Sequence, residues 1–78
     1  MIDFFEVIQR IKTVLSKQTK KEKILDKDIA FALQLDPQYY AVIKKRQKIP
    51  YASIAYFSQS HKLNMNWILL AQKPQYLT

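Results

Sequence analysis

The chain has 78 residues, of which 49% are hydrophobic, and this suits one small domain with its own core. It contains no cysteine, so disulfide bonds, zinc–thiolate sites and thiol chemistry are excluded. The formal net charge is +7; every acidic residue lies in the first 36 positions, and every charged residue after them is basic. This asymmetry favours a polyanionic partner, with nucleic acid ahead of a membrane surface.

The sequence offers no signal for a membrane or a secretory route. No apolar run approaches the roughly 18–20 residues that span a bilayer. Asp3 and Glu6 stand where a secretory signal carries basic residues. We therefore expect a cytoplasmic protein.

The sequence favours an all-α fold. Glycine is absent, no Asn-Gly or Asp-Gly hairpin turn occurs, and no apolar–polar alternation indicates a strand. Apolar residues instead recur at steps of three and four, which predicts helices. We expect five short helices in a single domain over residues 1–78, without repeats.

The first predicted helix covers about Asp3–Lys17 and is followed by a polar, lysine-rich connection. Its apolar stripe consists of Phe4, Val7, Ile8, Ile11, Val14 and Leu15. The second covers about Lys27–Gln34, with Asp26 as its expected N-cap. Its inward residues are Ile29, Ala30 and Leu33.

The remaining three helices begin at capping residues or prolines. Asp36-Pro37 is an N-cap followed by proline at the first helical position, and it predicts a third helix over about Pro37–Arg46. Pro50 opens a fourth, over about Tyr51–His61, and Asn64 caps a fifth, over about Met65–Ala71. Their expected inward residues are Tyr40 and Ile43, then Ile54, Ala55 and Phe57, then Trp67, Ile68 and Leu70.

Only Leu35 and Asp36 separate the second and third predicted helices. Such a short connection between two short helices is typical of a helix-turn-helix unit. The small side chain of Ala30 would let the two helices approach closely.

The segment from Asp26 to Pro50 resembles the helix-turn-helix of phage CI-type repressors, and the resemblance extends over about Phe4–Gln72. The residues in the corresponding positions are Asp28-Ile29-Ala30, Leu33-Gln34-Leu35-Asp36, Ile43, Lys45-Arg46, Ile49-Pro50-Tyr51 and Asn66-Trp67-Ile68-Leu69-Leu70. The chain departs from the family pattern at Gln34 and Ala71, where glycine is usual, and at Ile43, where tryptophan is frequent. A left-handed Gln34 would cost about 1 kcal/mol.

The resemblance implies a lambda repressor-like bundle that binds double-stranded DNA as a homodimer in the bacterial cytoplasm or nucleoid. The implied function is transcriptional regulation, as a repressor at a palindromic operator, with the third helix in the major groove. We expect no enzyme activity, no cofactor or metal, no small-molecule substrate and no membrane partner.

The expected DNA contacts are of two kinds. Base contacts are assigned to Pro37, Gln38, Tyr39, Ala41 and Val42. Gln38 is the best direct reader, because its amide can pair with adenine N6 and N7. Phosphate contacts are assigned to Lys44, Lys45, Arg46 and Lys48. The lysines of the first connection, Lys17, Lys20, Lys21 and Lys23, are weaker phosphate candidates.

Several alternatives stay open. The chain would be a protein-interaction adaptor if it kept the helical fold without binding DNA; the unusual outward residues Pro37, Tyr39 and Val42 favour this reading. A weaker alternative is docking on a membrane through the first helix. Trp67 is expected in the core, although a role in a dimer interface is also open.

Overall fold

All regular secondary structure in residues 1–77, which the computed structural model describes, is α-helical. The five helices are α1 (Phe4–Thr19), α2 (Asp26–Ala32), α3 (Pro37–Arg46), α4 (Tyr51–Ser60) and α5 (Met65–Leu70). The radius of gyration is 11.7 Å, close to the value of about 11.5 Å for a folded chain of this length. The prediction of a small all-α bundle is confirmed at this level.

Helix α1 has the predicted buried stripe and extends two residues further than expected. Asp3 caps it, since its carboxylate accepts a hydrogen bond from the Glu6 N–H at 3.0 Å. All six predicted stripe residues are buried. The helix ends where Lys20 turns left-handed and donates its N–H to the Ser16 carbonyl at 2.9 Å.

Helix α2 begins and ends earlier than predicted, and the assignment of Asp26 as its N-cap is wrong. Leu25 occupies the N-cap position, and Asp28 reaches back to accept the Leu25 N–H at 2.9 Å. Asp26 is the first helical residue, and its carboxylate pairs with Lys44 of α3 instead. The helix ends at Ala32 because Gln34 adopts left-handed backbone angles.

The capping predictions for α3 and α5 are confirmed. Asp36 accepts the Gln38 N–H at 2.8 Å, and Asn64 accepts the Asn66 N–H at 3.0 Å. α3 has the predicted bounds. α4 ends at Ser60 and α5 at Leu70, each one residue before the predicted position, and His61 and Ala71 follow them as C-caps.

Two core predictions in these last helices are wrong. Ala55 is exposed, because the buried face of α4 follows the steps Ile54, Phe57 and Ser58. Ser58 tolerates burial since its hydroxyl donates to the Ile54 carbonyl at 2.8 Å. Leu70 is 45% exposed, because two helical steps turn it about 200° from the buried Ile68. Trp67 is partly buried against the core, which leaves both of its expected roles open.

One hydrophobic core joins the helices. α1 packs against α2 and α5, α4 packs against α5, and α2 packs against α3. Arg10 of α1 donates to the Ile68 carbonyl of α5 at 2.8 Å, which ties these helices together. The last described residues fold back along the α4–α5 connection, where Leu77 donates its N–H to the Lys62 carbonyl at 3.0 Å. Because the apolar stripe of α1 lies in the core, the folded chain does not offer it to a membrane.

Each helix is followed by a residue with left-handed backbone angles, and none of these residues is glycine. They are Lys20, Gln34, Gln47, Lys62 and Ala71. Glycine is the usual choice there, since a Cβ atom costs about 1 kcal/mol or more in this conformation. The chain therefore carries backbone strain after the C-terminal end of each of the five helices.

No helix in residues 1–77 is both long enough and apolar enough to cross a membrane.

Candidate nucleic-acid interface

The connection between α2 and α3 is a tight turn held by two backbone hydrogen bonds. Gln34 donates its N–H to the Phe31 carbonyl at 3.0 Å, and Leu35 donates to the Ala30 carbonyl at 2.8 Å. These two bonds form a Schellman motif around the left-handed Gln34. Ala30 is fully buried, and α2 packs against α3. The turn fixes where α3 begins relative to α2.

The buried side of α3 determines which side chains face outward. Tyr40 and Ile43 lie in the core. At about 100° per residue, the opposite face is centred on Gln38 and Lys45, with Ala41 and Val42 on either side. All four are exposed.

The remaining predicted base-contact residues lie on the flanks of this face. Tyr39 is 51% exposed and shares its flank with Arg46. Pro37 lies on the other flank, beside α2, where it lines a shallow depression with Phe31 and Leu35. The structure thus brings Gln38, Ala41 and Val42 together and places Pro37 at the edge. We use the name outer face of α3 for four exposed, uncharged residues of its first two turns, Gln38, Tyr39, Ala41 and Val42; Lys45 continues this side of the helix in the third turn.

The predicted phosphate contacts divide into two kinds. Lys45, Arg46 and Lys48 are exposed and form no salt bridge within residues 1–77. Lys44 is different: its ammonium donates to the Asp26 carboxylate at 2.7 Å. A phosphate would have to compete with Asp26 for Lys44. The freely available charge at this end of α3 therefore comes from Lys45, Arg46 and Lys48, which we call the cationic cluster.

A buried tyrosine lies beside the Asp26–Lys44 pair. Tyr40 is only 1% exposed, and its hydroxyl has no hydrogen-bond partner among the described residues. Burial, with a smaller contribution from the Asp26 carboxylate, raises the pKa of Tyr40 to about 12. The α2–α3 interface thus combines an ion pair at its rim with an unsatisfied hydroxyl inside.

The lysines between α1 and α2 are exposed, but one of them has an acidic partner. Lys21 lies 3.5 Å from the Asp28 carboxylate. The pKa of Asp28 is lowered, first by the hydrogen bond from the Leu25 N–H and then by Lys21. Lys17, Lys20 and Lys23 form no salt bridge in the described part of the chain. Their predicted role at phosphates stays a prediction.

The sequence did not indicate the most exposed aromatic residue within the helices. Phe31 of α2 is 85% exposed and borders a groove of about 650 Å³ between α2, the end of α1 and the end of α4. Most of the groove surface is apolar and comes from Leu15, Ile24, Ala32 and Leu35 beside Phe31, while polar side chains such as His61 lie at its edge. The spacing of the core residues does not predict that a phenylalanine lies on the exposed side of a helix.

His61 closes α4, as expected for a helix-end residue, and lies at this groove. Its ring centroid lies 4.2 Å from that of Phe57, with the two ring planes tilted by 41°, and Gln18 of α1 donates to its Nδ1 at 2.7 Å. Burial lowers the pKa of His61. Across residues 1–77, no three histidine or acidic side chains lie close enough together to hold a metal ion.

Comparisons with known proteins give no relative for this chain: no protein-family model, no curated protein and no solved structure matches it.

Proposed function

We propose that the chain binds double-stranded DNA as a helix-turn-helix transcriptional regulator, with α2 and α3 forming the unit and α3 lying in the major groove. The observation that carries the proposal is the arrangement on α3. Its outer face is uncharged and exposed, and the cationic cluster borders it at one end. Uncharged side chains can contact base edges while cations neutralise phosphates. The arrangement therefore suits a helix that lies in the major groove of duplex DNA.

The resemblance to CI-type repressor domains supports the same function, although no comparison identifies that family. On this basis we propose a repressor that acts as a homodimer on a palindromic operator. Each protomer would place one α3 in a major groove, with the two helices about 34 Å apart. The protein would then act by binding rather than by catalysis.

The alternative is an adaptor that binds another protein. The exposed Phe31 and its apolar groove favour this function, because a large exposed aromatic residue is a frequent anchor in protein interfaces. The groove and the outer face of α3 share no residue, so variants can test the two functions separately.

A fluorescence-anisotropy titration of labelled duplex DNA at several salt concentrations tests the proposal. With the three cations of the cationic cluster contributing from each of two protomers, we expect a log–log slope of about −5. Absence of binding at low salt, or binding that does not depend on salt, would contradict DNA binding through phosphates.

Two variants and one control separate the proposed roles on a duplex selected from a random pool. Lys45→Ala should weaken binding to every duplex alike, because a phosphate contact carries no base information. Gln38→Ala should relax the preference at one base pair. Gln9→Ala on the exposed side of α1 is the matched control and should leave binding unchanged. If the first two variants affect all duplexes equally, the assigned roles are wrong.

A further inference from the structure

The first two turns of α3 contain no exposed arginine or lysine, the side chains that most often recognise guanine. Guanine presents two acceptors in the major groove, O6 and N7, and arginine or lysine is its usual partner. In the first two turns of α3, the exposed side chains are Pro37, Gln38, Tyr39, Ala41 and Val42. None of them carries a positive charge. The cationic cluster begins only in the third turn, at Lys45.

What the outer face does offer matches the chemistry of an A·T pair. Adenine presents N7 as an acceptor and N6 as a donor, and one amide such as Gln38 can satisfy both. Thymine presents a methyl group, which is the apolar feature of the major groove. Val42 is 47% exposed and lies beside Ala41, so together they form an apolar surface that can contact a thymine methyl group.

Helix geometry limits how far apart these contacts fall on DNA. Gln38 and Val42 are four residues apart and share one face of α3, which separates them by about 6 Å along the helix axis. Base pairs stack about 3.4 Å apart. For a helix that follows the groove, the two side chains meet base pairs about two steps apart.

We infer that α3 reads A·T base pairs: Gln38 recognises an adenine, and Ala41 and Val42 recognise a thymine methyl group within about three consecutive base pairs. The inference rests on the proposed DNA-binding function and adds the class of sequence that is bound. The cationic cluster sets the affinity for any duplex, and the uncharged outer face sets the preference.

Selection of bound duplexes from a random 20-base-pair pool, followed by base-analogue substitution, tests the inference. We expect at least two A·T pairs within a three-base-pair core of each half-site. Replacing a core thymine with uracil removes only the methyl group and should weaken binding about fourfold. Replacing the core adenine with 7-deazaadenine removes the N7 acceptor and should cost about fivefold or more. The same analogues outside the core serve as controls.

The protein variants complete the test. In the Val42→Ala variant, replacing the core thymine with uracil should weaken binding much less than in the wild type. In the Gln38→Ala variant, 7-deazaadenine should no longer weaken binding. Both positions are exposed, so we expect the variants to keep the wild-type circular dichroism spectrum. A selected core of G·C pairs, or analogues without effect in an A·T core, would overturn the inference while leaving DNA binding intact. Failure to bind any duplex at low salt would overturn the proposed function as well.

Discussion

Gln34 is the position where backbone strain and the proposed DNA-binding unit meet. Its φ of 57° is left-handed, and its N–H and that of Leu35 close the end of α2. A Cβ atom in this conformation lies too close to the neighbouring carbonyl oxygen. Gln34→Gly removes this contact and leaves both backbone hydrogen bonds in place. We therefore expect the substitution to stabilise the protein.

The magnitude follows from two opposing terms. Relief of the left-handed conformation contributes about 1–2 kcal/mol. Glycine also has more freedom in the unfolded chain, which offsets about 0.5–1 kcal/mol. The expected net increase in the free energy of unfolding is about 0.5–1 kcal/mol. For a domain of this size, that corresponds to a rise in Tm of roughly 2–8 °C.

Thermal and urea unfolding monitored by circular dichroism measure this change. Gln34→Ala keeps the Cβ atom and should show no comparable gain, which separates backbone strain from loss of the exposed side chain. Gln9→Gly, the same substitution inside α1, should instead destabilise by about 1 kcal/mol. A Gln34→Gly variant that is less stable than wild type would refute the strain argument.

Three further predictions follow from the α2–α3 interface and from His61. Tyr40→Phe should keep or raise stability at pH 7 by up to about 1 kcal/mol, because the buried hydroxyl has no partner. Since the folded pKa of Tyr40 is raised from 10.0 to about 12, wild-type stability is fully present below pH 10 and is lost as the pH rises toward 12. Unfolding at pH 7, 10 and 11 should show an alkaline loss of roughly 1–1.5 kcal/mol by pH 11, which the Phe variant lacks. Asp26→Asn should tighten duplex binding by about two- to fivefold, as measured by anisotropy, because it frees Lys44 and removes a carboxylate near the DNA; weaker binding would argue against a phosphate contact by Lys44. Because burial lowers the pKa of His61, stability should be present above pH 6.5 and fall as the pH drops below it. His61→Gln should flatten this dependence in urea unfolding between pH 5 and 7, and an equal slope in both proteins would contradict it.

Much of the fold could be predicted from local signals in the sequence. The stripe of α1 and the caps Asp36 and Asn64 appeared where they were expected, because each depends on spacing or on one side chain and its neighbouring N–H. Leu70 was misplaced because α5 has fewer than two full turns. In so short a helix, apolar content does not determine which face is buried.

The errors at α2 have a tertiary cause. Asp26 carries a good capping side chain, but its carboxylate is drawn to Lys44, 18 residues away in the sequence. Asp28 provides the local hydrogen bond instead. The same pairing divides the predicted phosphate contacts, because only the folded arrangement reveals that Lys44 has a partner.

The candidate site was predictable in position and less so in detail. The exposure of Gln38, Ala41 and Val42 follows from the helical period once Tyr40 and Ile43 are assigned to the core. The position of Pro37 beside α2 and the exposure of Phe31 depend on how α2 and α3 pack. Helical spacing within one element does not contain that information.

The most direct test of the central claim is a map of amide chemical shifts by NMR, with ¹⁵N-labelled protein and a duplex selected from a random pool. We expect the largest changes at residues 37–48, which cover the outer face of α3 and the cationic cluster, and we expect them to reverse as salt is raised. Absence of changes at low salt, or changes confined to the groove around Phe31, would contradict DNA recognition by α3.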